Sequence, residues 1–188
     1  MIKTTKDVNA EIKCDDYPFD YQKKITEKLD GVSMEFNQET INEIILWKVN
    51  RYAELTDESL RLINSIPTTS DKIDINLTKK VLMSLINEHG IQLPMATTIL
   101  RFRNPKIYQI IDQRVYRFLY SGKTLQIPLY NSEVNKNTQI DLYLEYLIEL
   151  RNESFRLNIP FEKADRIFYL LDKKMNKEFK LKNYGSKE

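Results

Sequence analysis

GIQLPMATTILRFRNPKIYQIIDQRVYRFLY, Gly90 to Tyr120, is the stretch whose reading decides the fold. A glycine just past an apolar run ends a helix in a tight turn, and Pro94 suits the first turn of the next helix, where its missing N–H costs little. Asn104-Pro105 breaks that helix, and Asp112 stands at the mouth of another. The stretch therefore predicts helices over Pro94–Arg103, Lys106–Ile110 and Asp112–Tyr120, preceded by one over Leu77–His89. A helix leaving a tight turn has unpaired first N–H groups and a positive dipole end, so the turn Gly90-Ile91-Gln92-Leu93 suits an anion such as phosphate. Asp112 adds one carboxylate to the same helical scaffold.

Outward from this stretch the apolar spacing stays near 3.6, and the 188 residues contain only four glycines. Further helices are predicted over Tyr17–Leu29, Gln38–Leu55, Asp57–Asn64, Thr138–Leu157 and Pro160–Asn176. Asn37 reads as an N-cap. Thr56 reads as one without a full capping box, although Asp57 and Glu58 suit the dipole. Gly31, Gly90 and Gly122 read as stops. Residues 1–16 read as a loose N-terminal arm, and 17–188 as one helical domain in two lobes. Two linkers stand out, Pro67 to Asn76 and the longer Ser121 to Asn137; the second either covers a cleft or joins two helices.

Composition narrows the function classes. A 41% hydrophobic content supports a core, while 30% charged residues and a mean hydropathy of −0.50 point to a soluble protein. No window approaches the roughly 18 apolar residues of a membrane span. The polar N-terminus reads as neither signal nor transit peptide, so a cytoplasmic, nucleoid-associated location is expected. One cysteine, Cys14, and one histidine, His89, argue against disulfides, cysteine-held clusters and His-rich metal sites. The net charge of +2 is too small to argue nucleic-acid binding globally. Locally, Ser84 to Tyr120 carries Arg101, Arg103, Lys106, Arg114 and Arg117 against Glu88 and Asp112, a net of +3. A basic strip on one face is a plausible reading; the C-terminal lysines read as a solvated helix end.

GIQLPMATTIL resembles the hairpin of the helix-hairpin-helix DNA glycosylase superfamily, whose usual string runs LPGVGxKTAxxIL. Gly90 matches the first hairpin glycine, Ala96 the small residue between the helices, and Ile99-Leu100 the apolar pair. IIDQRVYRFLY is similar to the family's VDTHVxRVxxRLG segment, with Asp112 at the catalytic aspartate, 18 residues after Pro94. EIILWKVNRYAEL is similar to the family's apolar helix that ends in the turn facing DNA opposite the flipped base. The resemblance covers roughly Gln38 to Tyr120. It departs at Gln92, which replaces the second hairpin glycine, at Pro94, where bifunctional members carry a lyase lysine, and at the wedge, here Lys48 or Val49. The family's optional four-cysteine iron–sulfur loop is absent.

The resemblance implies an all-α, two-lobed helical bundle with a helix-hairpin-helix motif at about 77–103. It implies a monofunctional DNA N-glycosylase that flips a damaged or modified base from double-stranded DNA, for repair or for defence against phage DNA with modified bases. No metal or organic cofactor is implied, although such hairpins can hold a monovalent cation. A monomer is expected, with no membrane partner. A DNA-binding module without activity is the alternative, and a helical protein-interaction domain is a further rival.

The residues also carry readings of their own. Breaking an N-glycosidic bond builds positive charge on the sugar, which a carboxylate such as Asp112 can stabilise while orienting water; the structural alternative is that Asp112 caps its helix. Asn50 and Arg51, at a helix end, suit DNA contact, and so does Lys48. Trp47, Tyr52 and Tyr116 could line a base pocket or be core aromatics. Arg101, Arg103 and Lys106 surround a helix break and could neutralise phosphates or form an ordinary solvated turn, and Arg114, two residues after Asp112, is a further candidate for DNA contact. His89 reads as a C-cap, and Glu88 as a second carboxylate that nothing places near Asp112. Tyr143, Tyr146, Phe155, Phe161, Phe168 and Tyr169 recur at helical spacing and read as a core stripe.

Overall fold

The computed structural model describes residues 22–181 apart from 34, 50–51 and 129–131. These residues form eight α-helices and, among them, no strand: α1 (Lys23–Asp30), α2 (Gln38–Lys48), α3 (Asp57–Ser65), α4 (Ile75–Asn87), α5 (Leu93–Arg103), α6 (Gln113–Leu119), α7 (Glu133–Arg156) and α8 (Ala164–Met175). A single turn of 3₁₀ helix, Phe161–Lys163, leads into α8. The fold is all-α, as the periodicity predicts. No helix among the described residues is long and apolar enough to cross a membrane.

The chain divides into two compact units, Met1–Tyr52 and Ala53–Glu188. In the first, α1 and α2 pair. Asn37 caps α2 by accepting the Thr40 N–H, and Trp47 Nε1 donates to Thr26 Oγ1 at 2.9 Å. Lys28 and Glu43 add an ion pair at 2.6 Å.

The second unit holds the main core. Val81, Leu82 and Leu85 of α4, Leu93, Ala96 and Leu100 of α5, and Tyr143, Tyr146 and Leu150 of α7 meet there, with Phe168 of α8. Ala96 is fully buried, and its small side chain suits a position inside the core. Burial of each large side chain contributes about 1.5–3 kcal/mol, so this packing, more than helix propensity, holds the unit together.

Three expectations are corrected. The helix predicted over Lys106–Ile110 is absent: a turn at 105–107 leads into irregular backbone over 108–112. α2 ends at Lys48 rather than continuing to Leu55, since 52–55 are irregular. α7 begins at Glu133, five residues before Thr138, because Ser132 caps it by accepting the Asn135 N–H. The core stripe is also incomplete. Tyr143, Tyr146 and Phe168 are buried, whereas Phe155 is 89% exposed and Tyr169 37% exposed. The expected arm over 1–16 lies outside the described residues. The described part of the loop after α6 is anchored in the core by Leu125 and by a Gln139 hydrogen bond to the Pro128 carbonyl, and its Ser121, Gly122, Thr124 and Leu125 line a cavity of about 580 Å³.

Candidate active site around Asp112

α4 and α5 pack on each other across the turn Glu88–Gln92. Gly90 has φ +80°, a left-handed conformation that glycine adopts without strain. Gln92, by contrast, sits at φ −104° and ψ 168° as the N-cap of α5, extended backbone that any residue adopts. The loss of a glycine at this position therefore imposes no strain. Gly90 and Gln92 are exposed, while the Ile91 and Leu93 side chains are buried in the core. The expected contacts at Ile91 and Leu93 are therefore corrected: Leu93 is 0% exposed, main chain included, and the Ile91 N–H already donates to the Glu88 carbonyl. Pro94 removes one N–H from the first turn of α5, and the N–H groups of Leu93 and Met95 meet no acceptor among the described residues.

Between α5 and α6 runs a strap, Asn104 to Asp112, whose backbone is held by side chains instead of helical bonds. Asn104 is fully buried; its Nδ2 donates to the Pro67 and Ser70 carbonyls at 2.7 and 2.9 Å, and its Oδ1 accepts the Lys106 N–H. Tyr143 and Tyr146 of α7 donate to the carbonyls of Gln109 and Ile110 at 2.9 and 2.7 Å. Asp165 of α8 accepts the Ile110 N–H, and Thr97 of α5 accepts the Ile111 N–H. Buried backbone groups need partners, and here three helices supply them. Burial pushes both tyrosine hydroxyls well above their ordinary range, so they remain donors.

The strap delivers Asp112 to the start of α6. Its Oδ1 accepts the N–H groups of Arg114 and Val115 at 2.7 and 3.4 Å, an N-cap. Its Oδ2 has no partner among the described residues. The half-buried carboxylate lines a pocket of about 410 Å³ with Ile110, Val115, Asp165, Arg166, Tyr169 and Leu170. That volume falls in the range of small-molecule sites, roughly 300–1,000 Å³. Capping and facing a cavity are thus both properties of this one side chain.

The basic residues of the central stretch are largely engaged within the fold. Arg101 is buried, lies 3.6 Å from Asp165 and donates to the Glu162 carbonyl. Arg103 donates to the Ile66 and Asn64 carbonyls at the end of α3. Arg114 and Arg117 both pair with Asp172 of α8, at 3.3 and 2.6 Å. Asp172 is fully buried; burial alone would raise its carboxyl, but hydrogen bonds from Arg117 and Asn176 and the nearby guanidinium charges hold it below the usual range. Lys106 is exposed, and its ammonium has no partner among the described residues.

The remaining candidates fall elsewhere. Tyr116 is half-buried and tilted on Tyr120, with centroids 4.4 Å apart, and the aromatic on the Asp112 pocket is Tyr169 instead. Trp47 braces α1 against α2, Lys48 is exposed at the end of α2, and Tyr52 is half-buried. Asn50 and Arg51 lie outside the described residues. Glu88 serves α3, its Oε1 accepting from Thr56 N, Thr56 Oγ1 and Ser59 Oγ. His89 is exposed beside the turn. The sequence reading singles out none of Arg166, Leu170 and Ile110, and it places Tyr169 in the core stripe. No periodic or motif signal separates them from ordinary helix-surface or core positions. No family model, curated protein or solved structure significantly matches this chain.

Proposed function

We propose that the chain is a monofunctional DNA N-glycosylase, hydrolysing the bond between a damaged or modified base and its deoxyribose in duplex DNA. The observation that carries this reading is the half-used carboxylate of Asp112. One oxygen is fixed by two backbone amides, and the other is free at the wall of an apolar pocket. A rigid, partly desolvated carboxylate is what a developing oxocarbenium ion needs, because its charge is aimed before the reaction begins. The free oxygen can also accept a proton from the attacking water. The turn supports a role in gripping the backbone through Gly90 and Gln92, which are exposed just before α5. Because Pro94 stands where a lyase lysine would, the expected product is an abasic site in an intact strand.

The test is incubation with duplexes carrying different modified bases, followed by mild alkali. Alkali-dependent strand breaks are expected with the wild type. The Asp112→Asn variant should lose them while still binding DNA with an affinity that falls as salt rises. Breaks without alkali, or undiminished release by the variant, would sink the assignment.

A further inference from the structure

Asp112 is not the only available charge on its pocket. Arg166, in the first turn of α8, lines the same space. Its guanidinium has no hydrogen-bond or ion-pair partner among the described residues; the bond to Asp165 is made by its backbone N–H. The arginines nearby differ. Arg101 is paired with Asp165, and Arg114 and Arg117 with Asp172. Asp165, the pocket's second acid, is likewise occupied by the Ile110 and Arg166 N–H groups as well as by Arg101. The pocket thus offers one free negative group and one free positive group, on walls made by Ile110, Val115, Tyr169 and Leu170.

Asp112 is half-buried and Arg166 stands exposed at the rim, and a pair of opposite charges on one pocket favours a reaction that separates charge. Heterolysis of an N-glycosidic bond is one. The C1′–N bond breaks, its electron pair leaves with the base nitrogen, the sugar becomes cationic and the base anionic. Water then adds to C1′, and its proton passes by way of Asp112 to the released base. We propose, building on the glycosylase reading, that Arg166 contacts the departing base and stabilises the anion it becomes. A guanidinium presents several N–H donors in one plane, suited to a carbonyl oxygen on which that charge collects. The substrate is then a base with a carbonyl beside the glycosidic nitrogen, a pyrimidine-2-one or an 8-oxopurine. An N7-alkylated purine departs as a neutral molecule and gains nothing from Arg166.

The experiment uses the full chain in single-turnover release from duplexes carrying uracil, 5-fluorouracil or N7-methylguanine. The wild type releases uracil faster than N7-methylguanine. Arg166→Gln slows uracil by roughly 10²-fold, the scale of losing one donor to a developing anion. It slows 5-fluorouracil less, because fluorine already stabilises the departing anion, and Arg166→Lys recovers part of the uracil rate. Both variants keep the wild-type Tm, since the guanidinium bonds no described residue. Equal slowing for both pyrimidines, no slowing, or preferred release of N7-methylguanine overturns the role of Arg166 while leaving the glycosylase reading intact. Release of no base from any duplex by the wild type overturns that reading, and this one with it.

Discussion

Glu88 accepts the backbone N–H of Thr56 at 3.0 Å, closing a helix cap from 32 residues away. In a capping box the acid that does this stands three residues after the cap, but here that position is Ser59. The same Glu88 oxygen also accepts from Thr56 Oγ1 at 2.6 Å and Ser59 Oγ at 2.5 Å, so the end of α4 is tied to the start of α3.

Removing this carboxylate releases Thr56 and Ser59 together. Glu88→Ala is expected to destabilise the chain by about 1–2 kcal/mol, the scale of a lost cap and its hydrogen bonds. Glu88→Gln, which keeps an acceptor, should lose less. Urea denaturation of both variants checks the order, and equal stability of Glu88→Ala and wild type contradicts it.

The same bonds set an acid limit. Hydrogen bonds from Ser59 and Thr56 hold the Glu88 carboxyl below the usual range, and Arg117 and Asn176 outweigh burial to do so for Asp172. A carboxylate depressed in the folded state stabilises fully above its unfolded value, about 4, and that contribution disappears as pH falls through the lower folded value. Tm should therefore be flat above about pH 5 and fall below about pH 4. The Glu88→Gln variant should show a shallower acid limb, which Tm measured across pH tests directly.

Asp172 is the buried acid that joins α6 to α8, and its loss leaves Arg114 and Arg117 without their anion. Asp172→Ala is expected to cost about 3 kcal/mol, at the lower end for breaking a buried pair because Arg114 is partly exposed. Chemical denaturation gives the figure; a change under 1 kcal/mol would show that these arginines find water or other partners at little cost.

Asp112 has two separable duties. Asparagine caps helices as well as aspartate does, whereas alanine cannot, so Asp112→Asn should stay within about 0.5 kcal/mol of wild type and Asp112→Ala should lose about 1 kcal/mol. Base release should fall at least 100-fold in both. Parallel losses of stability and release across the two variants would reduce Asp112 to a cap.

Much of the fold was legible because its causes are local. The helix at Gln38 with its Asn37 cap, the turn at Gly90 and the start of α6 at Asp112 are each set by residues within about four positions of one another, the reach of caps and of 3.6-residue periodicity. Asp112 could be singled out for the same reason, since an acid before an apolar helix is a local pattern. The helix expected over Lys106–Ile110 failed for the opposite reason. Its backbone is bonded by Tyr143, Tyr146 and Asp165, 34 to 55 residues away, and those bonds replace the helical ones.

By itself, then, the sequence determined most of the helices, the caps at Asn37 and Thr56 and the carboxylate at the head of α6, but neither the strap before it nor the Ser132 cap that starts α7. Tertiary structure decided which charges remain available. Arg101, Arg114 and Arg117 look as free in sequence as Arg166, yet α8 brings acids to the first three and an apolar pocket to the fourth. A charge's partner is chosen by packing between helices distant in the chain, and residue spacing along one helix carries no record of it.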